Sequence, residues 1–169
     1  MRIVLRPDRR PGVSAIVPSL LVGEYPTSGD VEWLHTTHGV TAVVNLQDHA
    51  DLASKGLLLD ELISAYRKRG IRFHHVPIAD GDTAALRMHL QSLVELMQKL
   101  VAEGACIYLH CNGGYNRAPT VAIAYLHVAL KMPLDAAVEL MKRQRPCVPF
   151  VTLLKAHYGR RSRYNAAKR

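Results

Sequence analysis

The stretch Cys106-Ile-Tyr-Leu-His-Cys-Asn-Gly-Gly-Tyr-Asn-Arg-Ala-Pro-Thr120 decides how the rest of this 169-residue chain is read. Ile107, Tyr108 and Leu109 suit a short buried strand. Gly113 and Gly114 open the loop to backbone angles that other residues avoid. Pro119, followed by Thr-Val-Ala-Ile-Ala-Tyr-Leu, suits a first helical turn, where a missing N–H costs nothing. Strand, loop and helix start together point successive N–H groups at one spot, which makes an anion site. Two side chains make that site reactive. Cys111 sits at the strand's end, among N–H donors, a helix N-terminus and an arginine, a setting that favours the nucleophilic thiolate. Arg117 offers a planar fork for two phosphate oxygens. The arrangement suits in-line attack of sulfur on phosphorus while the donors steady the equatorial oxygens.

Sulfur attack leaves an alkoxide or phenoxide that needs a proton, so a carboxylic acid must face the thiolate from another loop. Asp80 and Asp82 are the candidates, because both follow the apolar run ending at Ile78 and precede a helical stretch.

Composition sets the outer bounds. The length fits one domain with a real core. A 49% hydrophobic and 21% charged chain is ordinary for a globular fold. Cys106, Cys111 and Cys147 form neither a metal pattern nor an even disulfide framework. Five residues of strand span about 16 Å, too far for a Cys106–Cys111 bridge. A reducing cytoplasm is expected. Residues 1–6 are too short and too charged for a signal peptide, and no apolar run reaches membrane-spanning length. A net charge of +8 favours phosphorylated or acidic partners. Basic residues gather at the ends: Arg2, Arg6, Arg9 and Arg10 in front, Arg160, Arg161, Arg163, Lys168 and Arg169 behind. A loose basic lead over 1–15, a single domain over 16–158 and a basic tail over 159–169 follow.

Strands are predicted over 19–23, 41–46, 71–78 and 106–110. Pro77 marks the third as an edge strand or its end. Helices are predicted from Val31 to Gly39, from Leu57 to Arg69, from Thr83 to Gly104, after Pro119, after Pro133 and from Phe150 to His157. Gln47 to Gly56 reads as a polar connection. Strands alternating with helices predict an α/β layer fold.

His110-Cys111, five residues, then Arg117 resembles the signature of the cysteine-dependent protein phosphatases, the dual-specificity branch above all. Leu20-Leu-Val-Gly23 resembles that family's opening strand, and Arg143-Gln-Arg-Pro146 with Phe150 its closing segment. The resemblance implies a central, mostly parallel sheet flanked by helices and a two-step reaction. Cys111 takes the phosphoryl group while the acid protonates the leaving oxygen. Water then hydrolyses the cysteinyl phosphate. The family's acid falls first after the strand's Pro-x-x, which selects Asp80 and leaves Asp82 to cap the next helix. His110, Asn112, Gly113, Gly114, Tyr115 and Asn116 would surround the phosphate, with His110 orienting the loop. Phosphate, vanadate or tungstate would occupy it. No metal or cofactor is implied, and His74-His75 read as strand residues.

Asn45-Leu-Gln-Asp48, Asp51-Leu52, Gly56 and Lys142-Arg-Gln-Arg-Pro-Cys147 resemble the glucan phosphatases of plants. Those enzymes carry aromatic platforms where this chain has Gly81 and Ser54-Lys55. Ala118 stands where most dual-specificity enzymes have serine or threonine, as in the glucan phosphatases. Asn116-Arg117 resembles the RNA triphosphatase branch. Phosphorylated protein is therefore placed first as substrate, phosphoglucan second and RNA 5'-triphosphate third. A non-catalytic phosphate-binding module is the contrasting class, and it would not need Cys111 and Asp80 together.

Overall fold

The computed structural model describes residues 9–166, with side chains through residue 159. Five strands form one sheet in the order β1-β2-β5-β3-β4. They are β1 (Val13–Val17), β2 (Leu20–Gly23), β3 (Ala42–Asn45), β4 (Arg72–His75) and β5 (Ile107–His110). β2, β5, β3 and β4 run parallel, and β1 pairs antiparallel to β2. The sheet is thus mostly parallel, with β5 at its centre.

The helices are α1 (Val31–His38), α2 (His49–Ser54), α3 (Leu59–Lys68), α4 (Thr83–Ala102), α5 (Arg117–Val128), α6 (Leu134–Gln144) and α7 (Val151–Ala166). Successive side chains of a strand point to opposite faces, and the core divides accordingly. Leu20, Val22, Ala42, Val44, Ile107 and Leu109 share one cluster with Leu90, Val121, Met141 and Leu154 of the later helices. Leu21, Val43 and Tyr108 share the other with Leu34, Leu62 and Tyr66. Cover on both faces explains why β2, β3 and β5 are buried throughout. β4 lies at the edge, as Pro77 suggested, and is only partly buried.

Four expectations need correction. Residues 13–15 are not loose lead: they begin β1 (Val13–Val17), because the partner edge of β2 is open to them. Arg9 and Arg10, although about half exposed, are paired rather than loose. Arg9 pairs with Glu24 at 2.7 Å, and Arg10 pairs with Asp30 at 3.0 Å and lies over the Trp33 ring. The stretch from Gln47 to Gly56 holds α2, closed at its start by a capping box between Asp48 and Asp51. The last helix does not stop at His157 but runs on to Ala166, across much of the expected tail. Residues 1–8 and 167–169, and the side chains of 160–166, lie outside the described residues. No helix among the described residues is long and apolar enough to cross a membrane.

Candidate active site

The candidate residues follow the C-terminal ends of β5, β3 and β4, the usual side for a ligand in an open parallel sheet. Cys111 follows β5 and is almost fully buried, at 2% exposure. The loop beyond it reaches α5 at Arg117, and Arg117 to Leu126 are buried throughout.

The orientation of the loop is over-determined. A trans peptide sends the C=O of one residue and the N–H of the next in opposite directions. All peptide bonds here are trans. Each loop carbonyl from Cys111 to Asn116 has a partner. Cys111 O accepts from His110 Nδ1 at 3.1 Å. Asn112 O accepts from the Tyr25 amide at 2.8 Å. Gly113 O accepts from Arg145 Nη2 at 2.8 Å, and Gly114 O from Arg145 Nε at 2.7 Å. Tyr115 O accepts from the Val148 amide at 2.9 Å. Asn116 O accepts from the Thr120 amide and from its hydroxyl, the latter at 2.7 Å. The N–H groups of residues 112–117 are thereby turned away from these partners, and among the described residues they have no acceptor. The result is a nest of donors.

Glycine is needed at one of the two loop positions, not both. Gly114 has φ +61°, and a Cβ there would lie 2.4 Å from Gly23 O. Gly113 has no positive φ, and an added Cβ would meet nothing nearer than 3.8 Å.

Arg117 is held by one corner. Its Nη1 donates to Asp51 Oδ2 at 2.6 Å and to Ile78 O at 2.7 Å. Nε has no hydrogen bond, although Asp80 Oδ1 stands 3.4 Å away. The Nε–Nη2 edge is therefore open to two oxygens of an anion. Burial opposes the guanidinium charge, but the Asp51 bond, Cys111 and Asp80 together outweigh it and raise the Arg117 pKa.

Asp51 is the site residue that sequence reading missed. Its Oδ1 accepts from Asn112 Nδ2 at 2.6 Å, so one carboxylate ties Arg117 to the start of the loop. Gln47 adds a second tie, donating from Nε2 to Asn112 Oδ1 at 2.7 Å. Asn45 Oδ1 accepts from the Gln47 amide, and His75 Nε2 donates to Gln47 O. The signal was present as the Asn45-Leu-Gln-Asp48 and Asp51-Leu52 likeness, but nothing in the spacing shows that it reaches residue 117.

His110 is buried and hydrogen-bonded through Nδ1, while Nε2 has no partner. Burial pushes its pKa down to about 4, with the charges of His75 and Arg117 adding to the effect. The ring is neutral, and Nδ1 must carry the proton to donate to a carbonyl. Asn116 Nδ2 donates to Val148 O at 2.7 Å, which places this side chain on the loop's outer wall. Tyr115 is half exposed, at 49%. Ala118 is fully buried in the core. The Thr120 hydroxyl cannot take the place of a serine there, because it bonds Asn116 O and accepts from the Phe150 amide at 2.9 Å.

The two aspartates stand apart. Asp80 is exposed and faces Arg117. Asp82 caps α4, its Oδ1 accepting from the Ala85 amide at 2.9 Å. Among the described residues, no three His, Cys, Asp or Glu side chains gather as a metal site.

A buried cysteine at the base of an amide nest, with an arginine edge open beside it, is the constellation of phosphoryl transfer to sulfur. Comparison with known proteins agrees with the geometry. The family described as "Dual specificity phosphatase, catalytic domain" matches residues 20–155, and the chain belongs to that family. It is 32% identical over 145 residues to a phosphoglucan phosphatase, DSP4, of Castanea sativa, covering 83% of this chain and 38% of that protein. It is 26% identical over 137 residues to dual specificity protein phosphatase 5 of Rattus norvegicus, covering 81% of this chain and 32% of the relative. The crystal structure of Tk-PTP in its active form superposes with a TM-score of 0.74 at 25% identity, covering 88% of this chain and 97% of that one. The chain spans less than half the length of these curated relatives.

Proposed function

We propose that the domain hydrolyses phosphomonoesters through a cysteinyl-phosphate intermediate. The observation that carries this is the set of six loop carbonyls held outward around Cys111, with the Nε–Nη2 edge of Arg117 open beside them. Cys111 Sγ attacks phosphorus, forming the S–P bond as the P–O bond to the leaving group breaks. The amides of 112–117 and Arg117 hold the three equatorial oxygens. Asp80 donates its proton to the leaving oxygen, then accepts one from the water that cleaves the S–P bond. The position of Asp80 facing Arg117, against the capping bond of Asp82, supports that assignment. No metal takes part in this scheme.

Phosphorylated protein is the proposed substrate, with the domain acting as a dual-specificity protein phosphatase. A phosphoglucan is the second reading, favoured by the 32% identity to the Castanea sativa protein. The surroundings of the loop offer little for stacking on sugar rings. Tyr115 is the one aromatic residue among the most exposed large apolar side chains described. A turnover panel tests the order: phosphotyrosine peptide, phosphothreonine peptide, solubilised phosphoglucan and 5'-triphosphorylated RNA. Phosphopeptide turnover at least tenfold above the others is expected. Faster release of phosphate from the glucan would put the second reading first. Vanadate or tungstate should inhibit, and exhaustive chelation should leave the rate unchanged.

A further inference from the structure

Arg145 belongs to a segment that the proposed chemistry leaves without a task. Pro146 disfavours helical backbone in the residue before it. α6 accordingly ends at Gln144, and Arg145 is extended, at φ −148° and ψ 132°. The turn sends its side chain beneath the phosphate loop, where it is 8% exposed. All three guanidinium nitrogens are used. Nε bonds Gly114 O, and Nη2 bonds Gly113 O. Nη1 reaches Gly12 O and the Ser14 hydroxyl, each at 3.2 Å, and Val22 O at 3.4 Å.

We propose that Arg145 is a positioning residue for the phosphate loop. By gripping the carbonyls of Gly113 and Gly114 from outside, it turns the N–H groups of Gly114 and Tyr115 onto the bound oxyanion. Peptide planarity supplies the link. The remaining loop carbonyls are held by main-chain amides, by the ring of His110 or by Thr120. The Gly113 and Gly114 carbonyls alone depend on Arg145. They also flank the residues with least resistance to peptide rotation, since glycine lacks a Cβ. Released, either carbonyl could rotate inward and set a partial negative charge against the anion. The guanidinium further ties the loop to β1 and β2 through Gly12, Ser14 and Val22. Lysine cannot reproduce this, because an ammonium lacks the rigid fork that holds two adjacent carbonyls at once.

The proposal rests on the oxyanion-binding role given to the loop above, and tungstate binding tests it without any assumption about substrate. Arg145→Lys and Arg145→Met should each weaken tungstate binding more than tenfold and lower kcat on an aryl phosphate. Leu154→Ala, a core truncation away from the loop, should lower Tm while leaving the tungstate Kd within twofold of wild type. A folded Arg145→Lys protein that binds tungstate within twofold of wild type overturns the idea. If neither Arg145 variant folds, the wild-type protein decides by amide NMR. Tungstate should then move the Gly114 and Tyr115 proton resonances downfield, and the absence of both shifts rejects the proposal. A protein that binds tungstate this way but turns over nothing in the panel would refute the catalytic reading and leave this one standing.

Discussion

Asp51 Oδ2 holds Arg117 Nη1 at 2.6 Å, across 66 positions of sequence. The pair is buried, with side-chain exposures of 10% and 2%. Its effect is to fix the guanidinium by one nitrogen so that the opposite edge faces the loop. Asp51→Asn keeps the shape and removes the charge. Breaking one side of a buried pair costs about 3–5 kcal/mol, and misplacing a binding group by about an ångström costs about a hundredfold in rate. The expected outcome is a lowered Tm together with a fall in kcat/KM of about tenfold or more. Wild-type kcat/KM in a folded Asp51→Asn protein would show that Arg117 keeps its place without the pair.

Cys111→Ser should lower aryl phosphate turnover by more than about a thousandfold while tungstate still binds, because the amide nest is untouched. Residual turnover within tenfold of wild type would remove Cys111 from the mechanism.

The two aspartates can be separated by leaving group. A good leaving group departs unaided, whereas a poor one needs a proton, an effect worth about 10²–10⁴. Asp80→Asn should therefore slow phenyl phosphate far more than nitrophenyl phosphate. Asp82→Asn should leave the leaving-group trend intact and change stability little, because asparagine keeps the oxygen that accepts from the Ala85 amide. Reversal of these results would exchange the two roles. If neither variant changes the trend, the reaction proceeds without a carboxylic acid.

Burial holds the His110 pKa near 4, below its ordinary 6.5. The unfolded chain thus binds the proton that the folded protein refuses. Stability from this group is complete above the ordinary value and is lost as pH falls from about 6.5 to about 4. Between pH 7 and pH 5 the loss should be about 2 kcal/mol. Urea unfolding of wild type and His110→Asn at both pH values isolates it: the variant should show a correspondingly smaller drop. An equal drop in both proteins would mean that carboxylates alone set the acid sensitivity.

Gly114→Ala should fail where Gly113→Ala succeeds. The first sets a Cβ against Gly23 O in a left-handed conformation, and the second makes only an ordinary contact at 3.8 Å. Circular dichroism melts and tungstate binding of the two variants check the contrast, and equal tolerance would mean that β2 can yield at Gly23.

Local chemistry made much of this protein legible from its residues alone. Short stretches rich in apolar or β-branched residues, set off by glycine or proline, predicted strands over 19–23, 41–46, 71–78 and 106–110, and β2, β3, β4 and β5 fall within them. Gly39 marked the end of α1, where it is left-handed at φ +68°. Cys111, Gly114 and Arg117 were readable because strand, turn and helix start lie in one continuous segment, and local geometry carries them to one place. β1 was not readable, since a short strand with mixed burial exists only through its pairing with β2. Asp51 and Arg145 stood out only as parts of stretches that resemble relatives, with no partner or role assigned to either. Their partners lie 66 and 31 positions away, and no periodicity or spacing encodes a contact of that range. Which carboxylate holds Arg117, and which guanidinium holds the loop carbonyls, was decided only when the fold brought α2 and the end of α6 around the phosphate loop at the C-terminal end of β5.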